Sequence, residues 1–189
     1  MNIIKKIIIF ISTISLDVGM ALIIGFLLNL KYNYNRWWFY PFSAFIGISA
    51  DFDLIWSIIN KDKLSNHKYY LTHQPIPMVI ILSFIGICLN YQFNFPWPLI
   101  PLIYLVHLIH DGFEPQGTLI LFGPFSKKTY HFSFKKFFPF IKMAPEKLEV
   151  VNTQKWMETY YYQWSGESII GRIALIIGII LCAVDIFSV

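Results

Sequence analysis

Residues 7–30 read IIIFISTISLDVGMALIIGFLLNL, an apolar run interrupted by one charge, Asp17. As a helix rising 1.5 Å per residue, such a run covers about 36 Å and crosses a hydrocarbon core of about 30 Å with some tilt. The run is longer than the apolar region of a signal peptide, and no small-residue cleavage site closes it. It is therefore read as a retained first span. An aspartate at the bilayer centre costs about 2.5–3.5 kcal/mol on insertion scales. Asp17 has to find a partner inside the protein.

The rest of the chain repeats the pattern. Of the 189 residues, 56% are apolar, 19% aromatic and only 14% charged, where an average soluble domain carries about 25% charge. Four more apolar stretches follow: residues 37–59, opened by an aromatic belt (Trp37, Trp38, Phe39, Tyr40); 76–89; about 99–111, after Pro96-Trp97-Pro98; and 168–187. The fold class expected is an all-α polytopic membrane bundle of about five spans forming one domain over residues 1–189. The third and fourth stretches are short for a crossing, so a tilted or re-entrant hairpin is expected there.

Lysine placement orients the bundle. Lys5 and Lys6 precede the first span, Lys61, Lys63 and Lys68 follow the second, and Lys127, Lys128, Lys135, Lys136, Lys142, Lys147 and Lys155 lie between the fourth and fifth. The first loop has only Lys31 and Arg36. The positive-inside bias then puts the amino terminus in the cytoplasm and the carboxyl terminus outside. Residues 112–167 form an inner segment rich in lysine and aromatic residues. Its stretch 132–142 reads either as an interfacial element or as a loop packed on the bundle. The net charge of +4 speaks for topology and anionic lipid, and no direct nucleic-acid partner is expected. Cys88 and Cys182 lack spaced partners and read as small hydrophobes.

Asp51 and Asp53 also fall in apolar sequence. His67 and His73, then His107, His110 and Asp111, sit where spans end on the inferred cytoplasmic side. Three unpaired aspartates would together cost roughly 8–10 kcal/mol, so the acids must converge on positive charge. His107 and Asp111, four apart, share a helix face and can serve one metal. Asp51 and Asp53, two apart, face about 200° apart on an unbroken helix. Either the helix unwinds there, or one binds metal while the other orients a histidine. Oxygen and imidazole donors without thiolate suit zinc, with manganese or iron as alternatives. Asp185 and Arg172, too far apart to pair, are expected at the membrane surface.

Asp51-Phe52-Asp53, His67 to His73 (HKYYLTH), His107-Leu108-Ile109-His110-Asp111, Glu114-Pro115-Gln116-Gly117 and Phe122 to Lys128 (FGPFSKK) together resemble the YdjM-like family. Its members are described as LexA-binding, inner-membrane-associated, metal-dependent hydrolases. The chain departs from the family pattern in having Leu54 after the Asp-x-Asp, Lys68 for Arg and Gln74 for Ser, and in lacking an early histidine. The resemblance implies a bacterial inner-membrane hydrolase, with phospholipase-like cleavage of a lipid or other ester by metal-activated water. The candidate ligands are Asp51, Asp53, His67, His73, His107 and Asp111, with His110 or Asp17 as general base or as support for a ligand. An ion or proton carrier using the same acids, or a protein whose lysine-rich segment docks a cytosolic partner, are the competing classes.

Overall fold

The computed structural model describes residues 3–34, 36, 38–52, 70–113, 120, 121, 125 and 166–187. Among them the chain is all-helical: α1 (Ile3–Tyr32), α2 (Phe39–Ser49), a 3-10 turn (Leu71–His73), α3 (Pro75–Phe93), α4 (Leu99–Phe113) and α5 (Gly166–Phe187). Three windows are long and apolar enough to cross a membrane: Ile14–Tyr32, Pro75–Phe93 and Ser168–Phe187. The expectation for the third stretch is thereby corrected. Apolar sequence continues past Leu89 through Asn90, Tyr91 and Gln92 to Phe93, giving α3 19 residues. The fourth stretch is short as expected, with 15 residues. The second is regular only to Ser49, and residues 53–69 lie outside the described ones. So does nearly all of the lysine-rich segment over 112–167.

Contacts give the helix directions. Along α1 and α5, Gly171 meets Ser15, Gly178 meets Gly19 and Leu22, and Asn29 meets Asp185. Numbers rise together, so these helices run parallel. Along α1 and α2 they run oppositely, Gly25 meeting Ser43 and Gly47 meeting Asp17. Helix α3 returns against α4 after the Pro96–Pro98 turn, where Gly86 abuts the Trp97 carbonyl. Five helices alternating in direction put the start of α1, the end of α2, the start of α3 and the end of α4 at one end of the bundle.

The core lies where α1, α2 and α4 meet, around Ala21, Leu22, Phe39, Ile46, Leu99 and Ile103. Aromatic rings close it at the far end: Trp38 stacks on Phe95 with centroids 6.3 Å apart, and Tyr34 meets both edge-on. Helix α3 exposes Ile80, Phe84, Ile87 and Tyr91, as suits an apolar helix bathed in lipid chains. Cys88 is exposed on the same helix, while Cys182 is buried against Leu22.

Asp185 lies two residues from the end of α5, near a span end as expected, and it also finds partners inside the protein. Its Oδ2 accepts from Asn29 Nδ2 at 2.7 Å and from the Tyr40 hydroxyl, and Asn29 also donates to Tyr40 Oη at 3.2 Å. The carboxylate turns inward because partners on α1 and α2 stand opposite it, joining three helices at the far end.

Small residues set the approach of α1 to α5. A methyl group on Gly19 would overlap backbone atoms of Ala174 and Leu175, whereas on Gly25 it would meet the Ser43 side chain, which can rotate. Gly19→Ala should therefore lower the unfolding free energy in detergent by about 1–3 kcal/mol, the usual cost of overpacking. Gly25→Ala should cost clearly less. Denaturant titration followed by circular dichroism tests the ranking, and equal losses would contradict it.

Candidate metal centre

The end of α2 creates the site. The backbone N–H of Asp51 would close the helix onto the Gly47 carbonyl, but it bonds to Ile48 instead, at 3.2 Å. This i−3 closure ends the regular helix at Ser49; Asp53, the other half of the Asp51/Asp53 pair, lies outside the described residues. The closure leaves the Gly47 carbonyl for a side chain, as the last turn of a helix requires. His107 takes it: Nδ1 lies 2.9 Å from Gly47 O. A side chain at position 47 would press on the Asp17 carbonyl at 2.7 Å, so glycine lets α2 come this close to α1.

His107 Nδ1 also lies 3.1 Å from Asp17 Oδ1. A carbonyl and a carboxylate only accept, so Nδ1 carries the hydrogen and donates to both. The other nitrogen, Nε2, is sealed from solvent and makes no hydrogen bond among the described residues. Around it stand Asp51 Oδ1 and Asp111 Oδ2, each at 3.6 Å. In neutral imidazole, Nε2 would aim a lone pair at two carboxylate oxygens. The arrangement is stable only with positive charge there, a proton or a metal ion.

A second histidine points to metal. His73 belongs to the 3-10 turn before α3, where Pro75 holds Gln74 extended at φ −103° and ψ 102°. Tyr104 of α4 ties down the turn by donating to the Thr72 carbonyl at 2.9 Å. His73 is buried, its Nε2 3.2 Å from Asp111 Oδ2, and its ring centroid 6.2 Å from that of His107. Donor atoms of Asp51, His73 and His107 all lie within 4.8 Å of one another. Tetrahedral ligands at 2.0–2.2 Å from an ion stand about 3.4 Å apart, so small movements would close the set. These residues fit a divalent cation.

Asp17 is buried, as expected, and its Oδ1 lies 3.1 Å from Nδ1 of both His107 and His110. One carboxylate oxygen thus orients two imidazoles. Of the residues singled out from sequence, Asp17, Asp51, His73, His107, His110 and Asp111 come together; Asp53 and His67 lie outside the described residues. Sequence reasoning missed the Gly47 carbonyl. Its only trace was a glycine one turn before an aspartate in an apolar helix.

Histidine labelled with 15N should show the Nδ1-protonated tautomer at His107 in the metal-loaded protein, and Asp17→Asn should shift that resonance. An Nε2-protonated tautomer would overturn the assignment of the Gly47 contact.

A family model described as YdjM inner membrane protein matches residues 16–187. The chain belongs to that family. No curated protein and no solved structure matches it.

Proposed function

We propose that this member of the YdjM family is a membrane-embedded hydrolase that holds a divalent cation between Asp51, His73, His107 and Asp111 and cleaves an ester of a membrane lipid. The observation that carries this reading is the sealed His107 Nε2, facing two carboxylates with its tautomer set from behind. Zinc suits two imidazoles and two carboxylates, with manganese or iron as alternatives. A divalent ion held by these residues would supply acidity, lowering the pKa of water from about 15.7 towards 7.

The chain's own groups do the rest. Asp17 and the Gly47 carbonyl hold His107 in the tautomer whose basic nitrogen is Nε2, the arrangement by which carboxylates behind a histidine raise its strength as a ligand. His110, with 14% side-chain exposure against 2% for His107, is the proton acceptor in this reading. Its Nδ1–H donates to Asp17 Oδ1 at 3.1 Å, which leaves Nε2 as its basic nitrogen. A lipid ester suits a site at the ends of spanning helices, because the head group can reach the donors while the tails stay among α3 and its lipid. Ion conduction is disfavoured by the apolar layer of Ala21, Leu22, Ile46 and Ile103 between this cluster and Asn29, Tyr40 and Asp185.

Metal content per protein and turnover of a generic phosphoester or lipid ester test the reading together. His107→Ala should lose the ion and essentially all hydrolysis. Asp17→Asn should lose less, about 10- to 100-fold, as an orienting group does. Cys88→Ala should change neither. Unchanged metal content in His107→Ala would sink the metal site.

Orientation is a separate proposal. Every lysine but Lys31 falls in the first turn of α1, between α2 and α3, or between α4 and α5, and the described helix ends that flank these stretches stand at the cluster's end of the bundle. That end is assigned to the cytoplasm by the positive-inside bias. Reporter fusions after Lys63 and within residues 127–155 should report cytoplasm, and a fusion after Val189 the opposite side. A cytoplasmic carboxyl terminus would refute it.

A further inference from the structure

At the opposite end of the bundle, about 27 Å away along α3, lies an open cleft of about 750 Å³. Its walls come from the link between α1 and α2 and from the end of α3 with the turn that follows. The candidate spans end at Tyr32 and Phe93, so the cleft opens at head-group level. Its volume falls in the range of small-molecule sites, about 300–1,000 Å³.

The lining has one chemical sense. Among the described residues Arg36 is its only charged one, with no carboxylate among the lining side chains. The guanidinium lies over the Tyr34 ring, 5.8 Å from its centroid, a contact that orients the cation without neutralising it. Asn90, Gln92 and Asn94 add amide groups on the facing wall. Asn94 is held by a left-handed backbone, φ 53°, that ends α3. Towards the bilayer the wall turns apolar, with Trp38, Phe42 and Leu89. A cation and amides above an aromatic and aliphatic floor match a ligand with an anionic head and an apolar body.

We propose that this cleft binds a membrane phospholipid, with Arg36 holding the phosphodiester, the facing amides its glycerol and head-group oxygens, and the aromatic floor the start of the acyl chains. Soluble phosphate would use the guanidinium alone and leave the floor unfilled. The lipid sits at the far end from the carboxylate–histidine cluster, so it is a bound structural lipid distinct from any substrate there.

Delipidated protein in detergent, titrated with phosphatidylglycerol and followed by native mass spectrometry, tests this. Wild type should retain one lipid at low lipid excess. Arg36→Gln should weaken retention about tenfold or more, since hydrogen bonds to charged groups are the strong ones. Asn94→Gly, which keeps the left-handed backbone and removes the amide, should weaken it by less. Lys31→Gln removes a cation that lies over Tyr32 and outside the lining, and should stay within twofold of wild type. Wild-type retention by Arg36→Gln would overturn the proposal. So would an equal loss in Lys31→Gln, which would indicate diffuse surface charge. Displacement of the lipid by equimolar sn-glycerol 3-phosphate would overturn the assignment to lipid. Helical content by circular dichroism confirms that each variant is folded.

Discussion

The hydrogen that His107 Nδ1 donates to the Gly47 carbonyl and to Asp17 decides how the centre of this protein is arranged. Removing either acceptor in thought shows why. Without the Gly47 contact, a helix-terminal carbonyl is left bare in a buried setting, where an unmade hydrogen bond costs about 1–3 kcal/mol. Without Asp17, nothing fixes which nitrogen of His107 faces Asp51 and Asp111. The same donation draws α1, α2 and α4 to a single point, and it does so only because α2 stops at Ser49. A regular turn through Asp51 would consume the Gly47 carbonyl and carry the Asp51 carboxylate elsewhere.

The membrane setting explains why polar groups appear at two levels and scarcely between them. In hydrocarbon a lone carboxylate has no water to fall back on, so each one is found with partners from other helices. Asp17 has two imidazoles, and Asp185 has an amide and a phenol. About 18 Å of helix separates Asp17 from Asn29, filled by Ala21, Leu22 and glycines that let α1, α2 and α5 approach closely. Helices already surrounded by apolar lipid gain little from hydrophobic burial against one another. Close glycine contacts and the two polar clusters therefore hold the bundle.

Much of this was legible in the chain. Runs of 20 or so apolar residues can only be spans, and acids inside them can only be paired, so the helical bundle and the meeting of Asp17 with histidines follow from composition and position. The i, i+4 spacing put His107 and Asp111 on one face, as observed. Other features were hidden for physical reasons. The inward turn of Asp185 depends on Asn29 and Tyr40, which are distant in sequence and have no spacing relation to it. The extent of α3 was underread because Asn90 and Gln92 look like loop residues, although near a span end they can sit at the interface without breaking the helix. His73 was ambiguous because six-residue spacing from His67 says nothing about a 3-10 turn; its burial comes from Pro75 on one side and the Tyr104 hydroxyl on the other.

Helix length sets how deep the centre lies. α2 and α4 end near the cluster, while α1 continues about 21 Å beyond Asp17 towards its own start. A carboxylate–histidine cluster at mid-span, walled by full-length helices, would be sealed from both head groups and water. At this cluster the Asp51 carboxylate keeps 33% side-chain exposure, while Asp17, on the long helix, keeps 5%. The tautomer of His107 is set from its Nδ1 side, by Asp17 and the Gly47 carbonyl, and its Nε2 faces Asp51 and Asp111. Depth and access are usually opposed in a membrane protein. Here one cluster spans both: the imidazoles of His73 and His107 are sealed, at 1% and 2% exposure, while the Asp51 carboxylate lies nearer the surface.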